Sequence, residues 1–215
     1  MALQTPLLTD TWVTATWEEY LQAIGAPESD KGKSYYDDGR MRLEMAPVGS
    51  DHSCDHTIVS YAVTLYAGLR SLDLQGRDNC TFRKPGLREC QPDIAFHVGK
   101  NAAAIPYGTG IVDLNIYPPP DLVIEVAKSS LADDQGAKRL LYEDMGVPEY
   151  WIVDVNTVRI LAFAIEDGGS RRIAESGVLP GLQLAVLVEA LQLARKMSHG
   201  KVSAWLLSKF QATEG

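Results

Sequence analysis

The sequence predicts a single α/β domain. Three observations carry this: extended runs alternate with stretches of helical period, two Asp-Gly pairs lie between extended runs as hairpin signals, and no linker or repeat divides the 215 residues. A chain of 23.5 kDa that is 46% hydrophobic can bury one sizeable core, which excludes a disordered tail or a disulfide-stapled miniprotein.

Thr16 and Glu19 form a Thr-x-x-Glu capping box, and Trp17, Tyr20, Leu21 and Ile24 follow at helical spacing until Gly25. Ser34–Asp37 and Arg40–Met45 flank Asp38-Gly39 as a hairpin, with Glu44 near the end of its second strand. Asp51–Leu72 carries Ile58, Ala62, Leu65, Leu69 and Leu72 in three-four spacing and is the longest helix candidate, capped by Asp51. Extended runs follow at Asn79–Lys84, Pro92–Val98 and Asp121–Ala127, the last two entered through proline. Between them, residues 99–120 hold three glycines and four prolines and read as a loop or flap. Leu131–Met145 is helical, stopped by Gly146 and Pro148, and Tyr150–Asp154 is a strand too apolar to be half-exposed. Arg159–Ile165 and Arg171–Ala174 flank Asp167-Gly168-Gly169 as a second hairpin, and residues 184–215 form a helical tail.

Twenty Lys and Arg against 28 Asp and Glu give a net charge of −8, the wrong sign for a non-specific nucleic-acid coater, so such a partner needs a local basic patch. Arg77, Arg83, Lys84 and Arg88, with Lys138 and Arg139, are the candidates for a phosphate-facing rim; scattered surface charge offset by Asp78 and Glu89 is the alternative. Cys54, Cys80 and Cys90 are odd in number and widely spaced, which points to a reducing compartment rather than a disulfide framework or zinc ribbon. Met1–Trp12 lacks the basic and apolar regions of a signal peptide and no apolar stretch is long enough to span a bilayer, so a cytoplasmic protein with no membrane partner is expected.

The most informative residue is Glu125. It sits in Leu122-Val123-Ile124-Glu125-Val126-Ala127, a run whose composition assigns it to a buried strand, where a bare carboxylate costs several kcal/mol unless paired, protonated or bound to a metal. Strand alternation places Asp121, Val123 and Glu125 on one face; an edge strand with Glu125 bonded to a lysine is the plainer reading. Asp93 follows Pro92 at the mouth of another strand, and two carboxylates from neighbouring strands suit Mg²⁺, which prefers oxygen ligands and keeps several waters. Lys138 lies thirteen residues after Glu125 on the next helix, placed either to reach that site or to form a surface pair with Asp134. His97 is read as a supporting group near Asp93 or as an ordinary core histidine, while Tyr150 and Trp151 read as core. His52 and His56 at i,i+4, with Asp55, leave zinc open as a minority reading, although the pattern is not H-E-x-x-H.

Together, Pro92-Asp93, Pro119-Pro120-Asp121-Leu122-Val123-Ile124-Glu125-Val126, Lys138, Tyr142 and Gly146-Val147-Pro148-Glu149-Tyr150-Trp151-Ile152-Val153-Asp154 resemble the Uma2 family of restriction endonucleases, in the PD-(D/E)XK nuclease superfamily. Asp38-Gly39, Glu44-Met45-Ala46-Pro47, His52 and Leu179-Pro180-Gly181-Leu182 extend the resemblance over most of the chain. It implies a restriction-endonuclease-like mixed central sheet flanked by helices, Mg²⁺ or Mn²⁺ held by Asp93 and Glu125, and a lysine supplied by Lys138. Glu44 and Asp121 are additional candidate acids. The superfamily's Glu-x-Lys spacing falls on Ala127 here, which leaves Lys138 and Lys128 as alternatives for the lysine. The implied activity is metal-dependent hydrolysis of DNA, with Arg83, Lys84, Arg88 and Arg139 toward the nucleic acid and a homodimer as in related nucleases that cut two strands. Two other classes remain open: a silent member that binds nucleic acid or protein through the same surface, and a zinc hydrolase built on His52, His56 and Asp55.

Overall fold

The computed structural model describes residues 9–27 and 32–212; Met1–Leu8, read above for targeting signals, residues 28–31 and the end of the tail lie outside them. The described chain runs β1 (Val13–Thr14), α1 (Trp17–Ile24), β2 (Lys33–Asp37), β3 (Arg40–Glu44), α2 (Ser50–Leu69), β4 (Leu74–Asp78), β5 (Phe82–Lys84), β6 (Arg88–Cys90), β7 (Ile94–Val98), β8 (Val112–Asp113), β9 (Leu122–Ala127), α3 (Leu131–Gln135), α4 (Ala137–Asp144), β10 (Glu149–Asp154), β11 (Arg159–Glu166), β12 (Gly169–Ile173), α5 (Leu184–Ala194) and α6 (His199–Ala212).

The expected mixed sheet has the order β12-β11-β10-β9-β7-β4, in which β9 and β10 are parallel and the other pairs antiparallel. A second mixed sheet, β1-β3-β2-β6-β5-β8, is built on the Asp38-Gly39 hairpin. Both Asp-Gly turns have positive φ at both residues (37° and 89° for Asp38 and Gly39, 53° and 74° for Asp167 and Gly168), the conformation that suits the twist of a two-residue hairpin.

Alternation along β9 splits the core. Leu122, Ile124 and Val126 face the layer of α2, α5 and α6, together with Ile94, Phe96 and Trp151. Val123 and Ala127 face the other way, against Tyr35 and Phe82 of the second sheet and Leu141 and Tyr142 of α4. Glu125 belongs to this second face, so its carboxylate lies between the two sheets.

Several expected elements change. Leu131–Met145 divides into α3 and α4 at Gly136, where φ −107° and ψ −103° leave the helical region. α2 begins at Ser50 behind Gly49, and Asp51 lies in its first turn rather than capping it. The strand expected from Asn79 begins at Phe82, because Asn79 turns at φ 50°. β4 was not expected: its Leu-Gln-Gly-Arg-Asp lacks alternation because it is an exposed edge, and Gly76 is there because a Cβ would meet the Phe96 ring at 2.9 Å. The 99–120 segment contains a 3-10 turn, Gly99–Asn101, and β8, which pairs with β5. The helical tail is two helices, α5 and α6.

Candidate active site

Asp93 directly precedes β7 and Glu125 lies in β9. The antiparallel register Ile94↔Ile124 brings these neighbours side by side, and the Asp93 N–H donates to Glu125 Oε2 at 3.4 Å. Both are almost fully buried, at 5% and 2% exposure, yet both reach the wall of a cavity of about 650 Å³. Lys33, Glu44, His52, Lys128 and Lys138 also line it.

The two carboxylates are held differently. Asp93 Oδ2 accepts the Val126 N–H at 2.7 Å and lies 3.3 Å from His52 Nε2, while Oδ1 is paired with the Lys33 ammonium. Burial opposes its charge, but His52 and Lys33 outweigh burial and hold the Asp93 carboxyl far below the usual carboxylate range. Glu125 Oε1 accepts from Tyr142 Oη at 2.6 Å and Tyr35 Oη at 3.3 Å. Those phenols, themselves pushed up by burial, remain donors. Burial, with the Asp93 charge adding to it, pushes Glu125 up to about 8 although Lys138 and Lys33 pull it down.

Lys138 projects from α4 into this pair at 1% exposure. Its Nζ lies 2.8 Å from Glu44 Oε1, 3.1 Å from Asp134 Oδ1 and 3.9 Å from Glu125 Oε1, over the face of the Tyr35 ring at 4.4 Å. Burial alone would favour the neutral amine; Glu125, Asp134 and Glu44 outweigh it and keep the ammonium. Glu44 also accepts from Arg42 Nε at 3.0 Å, and its carboxyl is held low because Lys138 and Arg42 overcome its burial. The Asp134–Lys138 pair therefore exists, but in the interior rather than on the surface.

Other expected residues go elsewhere. Asp121 accepts from the Val98 N–H at 2.7 Å and Asn101 Nδ2 at 2.8 Å, tying the flap's start to β9 away from the cavity. Lys128 stands at the cavity mouth, where its Nζ donates to Asp51 Oδ2 at 2.9 Å. Arg83 is paired with Glu89, Arg88 with Asp37 and Asp144 at 3.1 and 2.6 Å, and Arg139 with Glu143 at 3.3 Å; Lys84 is exposed, and none of the four lines the cavity. His97 accepts from Arg77 at Nδ1 and donates from Nε2 to the Pro118 carbonyl, the tautomer these partners require, and so anchors the flap. The His52, His56 and Asp55 set does not converge: Asp55 is fully buried against Arg195, and His56 meets Asp78 at 3.0 Å. Among the described residues, no three His, Cys, Asp or Glu side chains form a ready-made ligand cluster. The roles of Lys33 and His52 as partners of Asp93, and of Tyr35 and Tyr142 as donors to Glu125, are not in the sequence reading; the signals for them are that Lys33 and Tyr35 share a face of β2, that Lys138 and Tyr142 share a face of α4 at i,i+4, and that His52 and Tyr142 belong to the resemblance.

The donor set suits a hard divalent ion. Two carboxylates on adjacent strands, open to a cavity with room for water, match the one or two carboxylates by which Mg²⁺ is usually held, and Lys33 already places a cation against Asp93.

No curated protein matches the chain. Among solved structures, a protein titled a putative nuclease belonging to DUF820, from Anabaena variabilis ATCC 29413, is similar in fold, with a TM-score of 0.53 at 19% identity over 90% of this chain and 99% of that one. The family model described as "Putative restriction endonuclease", Uma2, matches residues 17–198. That span contains the whole of one sheet, the second sheet but for β1, the paired carboxylates and Lys138, and the chain belongs to the Uma2 family.

Proposed function

We propose that this protein is a Mg²⁺- or Mn²⁺-dependent endonuclease that hydrolyses phosphodiester bonds in DNA. The observation that carries the reading is the meeting of Asp93, Glu125 and the Lys138 ammonium at one cavity wall. A bound divalent ion would supply Lewis acidity toward a phosphoryl oxygen and make water more acidic. Asp93 and Glu125 would hold that ion; Asp93 Oδ1 and Glu125 Oε2 are the oxygens that neither the Val126 amide nor the phenols engage. Lys138, kept charged by its three carboxylates, is an electrostatic group rather than a proton acceptor: it faces the charge that builds on phosphorus in the transition state. Glu44 and Asp134 fix its position.

Cleavage of supercoiled plasmid with millimolar Mg²⁺ or Mn²⁺ tests this. Asp93→Asn and Glu125→Gln are expected to abolish cutting while the circular dichroism spectrum is retained, and Lys138→Met to slow it by about 10²- to 10³-fold. Undiminished cutting by either carboxylate variant removes the mechanism. One observation favours a second reading, a catalytically silent member that binds a protein partner rather than DNA: Arg83, Arg88 and Arg139 are spent on the protein's own carboxylates. Metal-dependent stabilisation with no cleavage of any DNA form would select it.

A further inference from the structure

Lys33 enters neither the family resemblance nor the mechanism above, yet it contacts the carboxylate on which both depend. It is the first residue of β2, in the second sheet, and reaches across to Asp93 Oδ1 with a side chain 17% exposed. Among the described residues, every other contact of the Asp93 carboxylate is on Oδ2, from the Val126 amide and His52, and Lys33 covers the oxygen left for a cation. Its charge also acts on Glu125, so one ammonium serves both carboxylates, as a divalent ion between them would. A lysine is a single flexible point charge and moves at little cost compared with the strand-borne carboxylates.

We propose that Lys33 is an exchangeable counter-ion: it balances Asp93 in the metal-free protein, is displaced when a divalent ion binds, and then contacts the phosphate entering the cavity. This rests on the metal-site reading above and adds to it a residue from the opposite sheet. Two opposing consequences follow. Removing the ammonium removes a competitor and so strengthens metal binding; it also removes a phosphate contact and so weakens cleavage at saturating metal. A purely structural lysine gives no such opposition.

The experiment is Mn²⁺ titration by calorimetry, with no nucleic acid present, on the wild type, Lys33→Met and Lys33→Arg, followed by plasmid cleavage at saturating Mn²⁺. Lys33→Met is expected to bind Mn²⁺ at least tenfold more tightly than the wild type and to cleave at least tenfold more slowly. Lys33→Arg keeps the charge and can grip the carboxylate through two N–H groups, so it is expected to bind Mn²⁺ more weakly than the wild type; this arm is decisive even if Lys33→Met does not fold. Equal Mn²⁺ affinity in all folded variants overturns the role of Lys33 and leaves the metal-site reading standing. Absence of Mn²⁺ binding in every variant overturns both.

Discussion

At the scale of the residue, Glu125 accounts for much of the site's behaviour. Its carboxyl sits between two sheets with two phenols on one oxygen, and burial pushes it up to about 8 from the ordinary 4.5. An acid whose folded pKa exceeds its unfolded one makes the native state bind the extra proton, so stability falls as pH rises through that window. Asp93, held low, works the other way and matters only in acid: the stability it adds is present above the ordinary 3.8 and is lost as pH falls. His97, lowered by burial, costs stability below the ordinary 6.5. Between about pH 6.5 and 8, Glu125 is therefore the group expected to set the slope. The melting temperature of the metal-free protein should decline across that interval, and Glu125→Gln should flatten the decline; a parallel decline in the variant would assign it to another group.

Among elements, α2 illustrates how the layers are fastened. Its Ile58, Val59, Ala62 and Val63 pack on the β7–β9–β10 sheet, while Asp55 forms a two-point pair with Arg195, just past the end of α5. Asp55 is fully buried, but the Arg195 side chain is 32% exposed and also donates to the Leu191 and Val155 carbonyls, so truncating Asp55 leaves a guanidinium that water can still reach. Asp55→Ala is expected to cost about 1.5–3 kcal/mol in denaturant unfolding, and a loss under 1 kcal/mol would place the pair among weak surface bridges. The same helix delivers His52 and His56 to the Asp93 end of β7 from its first two turns. The elements read incorrectly from sequence are those in which local pattern yields to packing. β4 lacks alternation because it is an edge, and Gly136 interrupts a helical run so that α4 can aim Lys138 at β9.

For the whole molecule, the net charge of −8 opposes a polyanion, Arg83, Arg88 and Arg139 are paired with the protein's own carboxylates, and the cations beside the paired acids are few. Those on the cavity wall are Lys33, Arg42, Lys128 and Lys138, each already facing a carboxylate. If DNA is the substrate, it engages few phosphates, and the affinity should depend on salt weakly: a plot of log K against log salt is expected to be no steeper than about −4, at about −0.9 per phosphate contact. A slope near −8 would require a basic surface outside this cavity. Among the described residues, no helix is long and apolar enough to cross a membrane.

The chain's own order of residues determined the local grammar: the capping box at Thr16–Glu19, both Asp-Gly hairpins, the proline-led strands, and the anomaly of a glutamate inside an apolar run. These are short-range or single-strand properties, set by backbone sterics and by the cost of burying charge, so they can be read without knowing the fold. Tertiary structure alone decided what surrounds that glutamate. Lys33, Tyr35 and Glu44 come from the opposing sheet, and no periodicity within one segment reveals that sheet's docking. Arg83 and Arg88, near Asp93 in sequence, and Arg139 on α4 were claimed by Glu89, by Asp37 and Asp144, and by Glu143, because the net charge of a segment does not say which carboxylate lies nearest in space. Whether a carboxylate is free, paired or protonated depends on distances of a few ångströms between distant stretches of chain, and only the folded packing sets those distances.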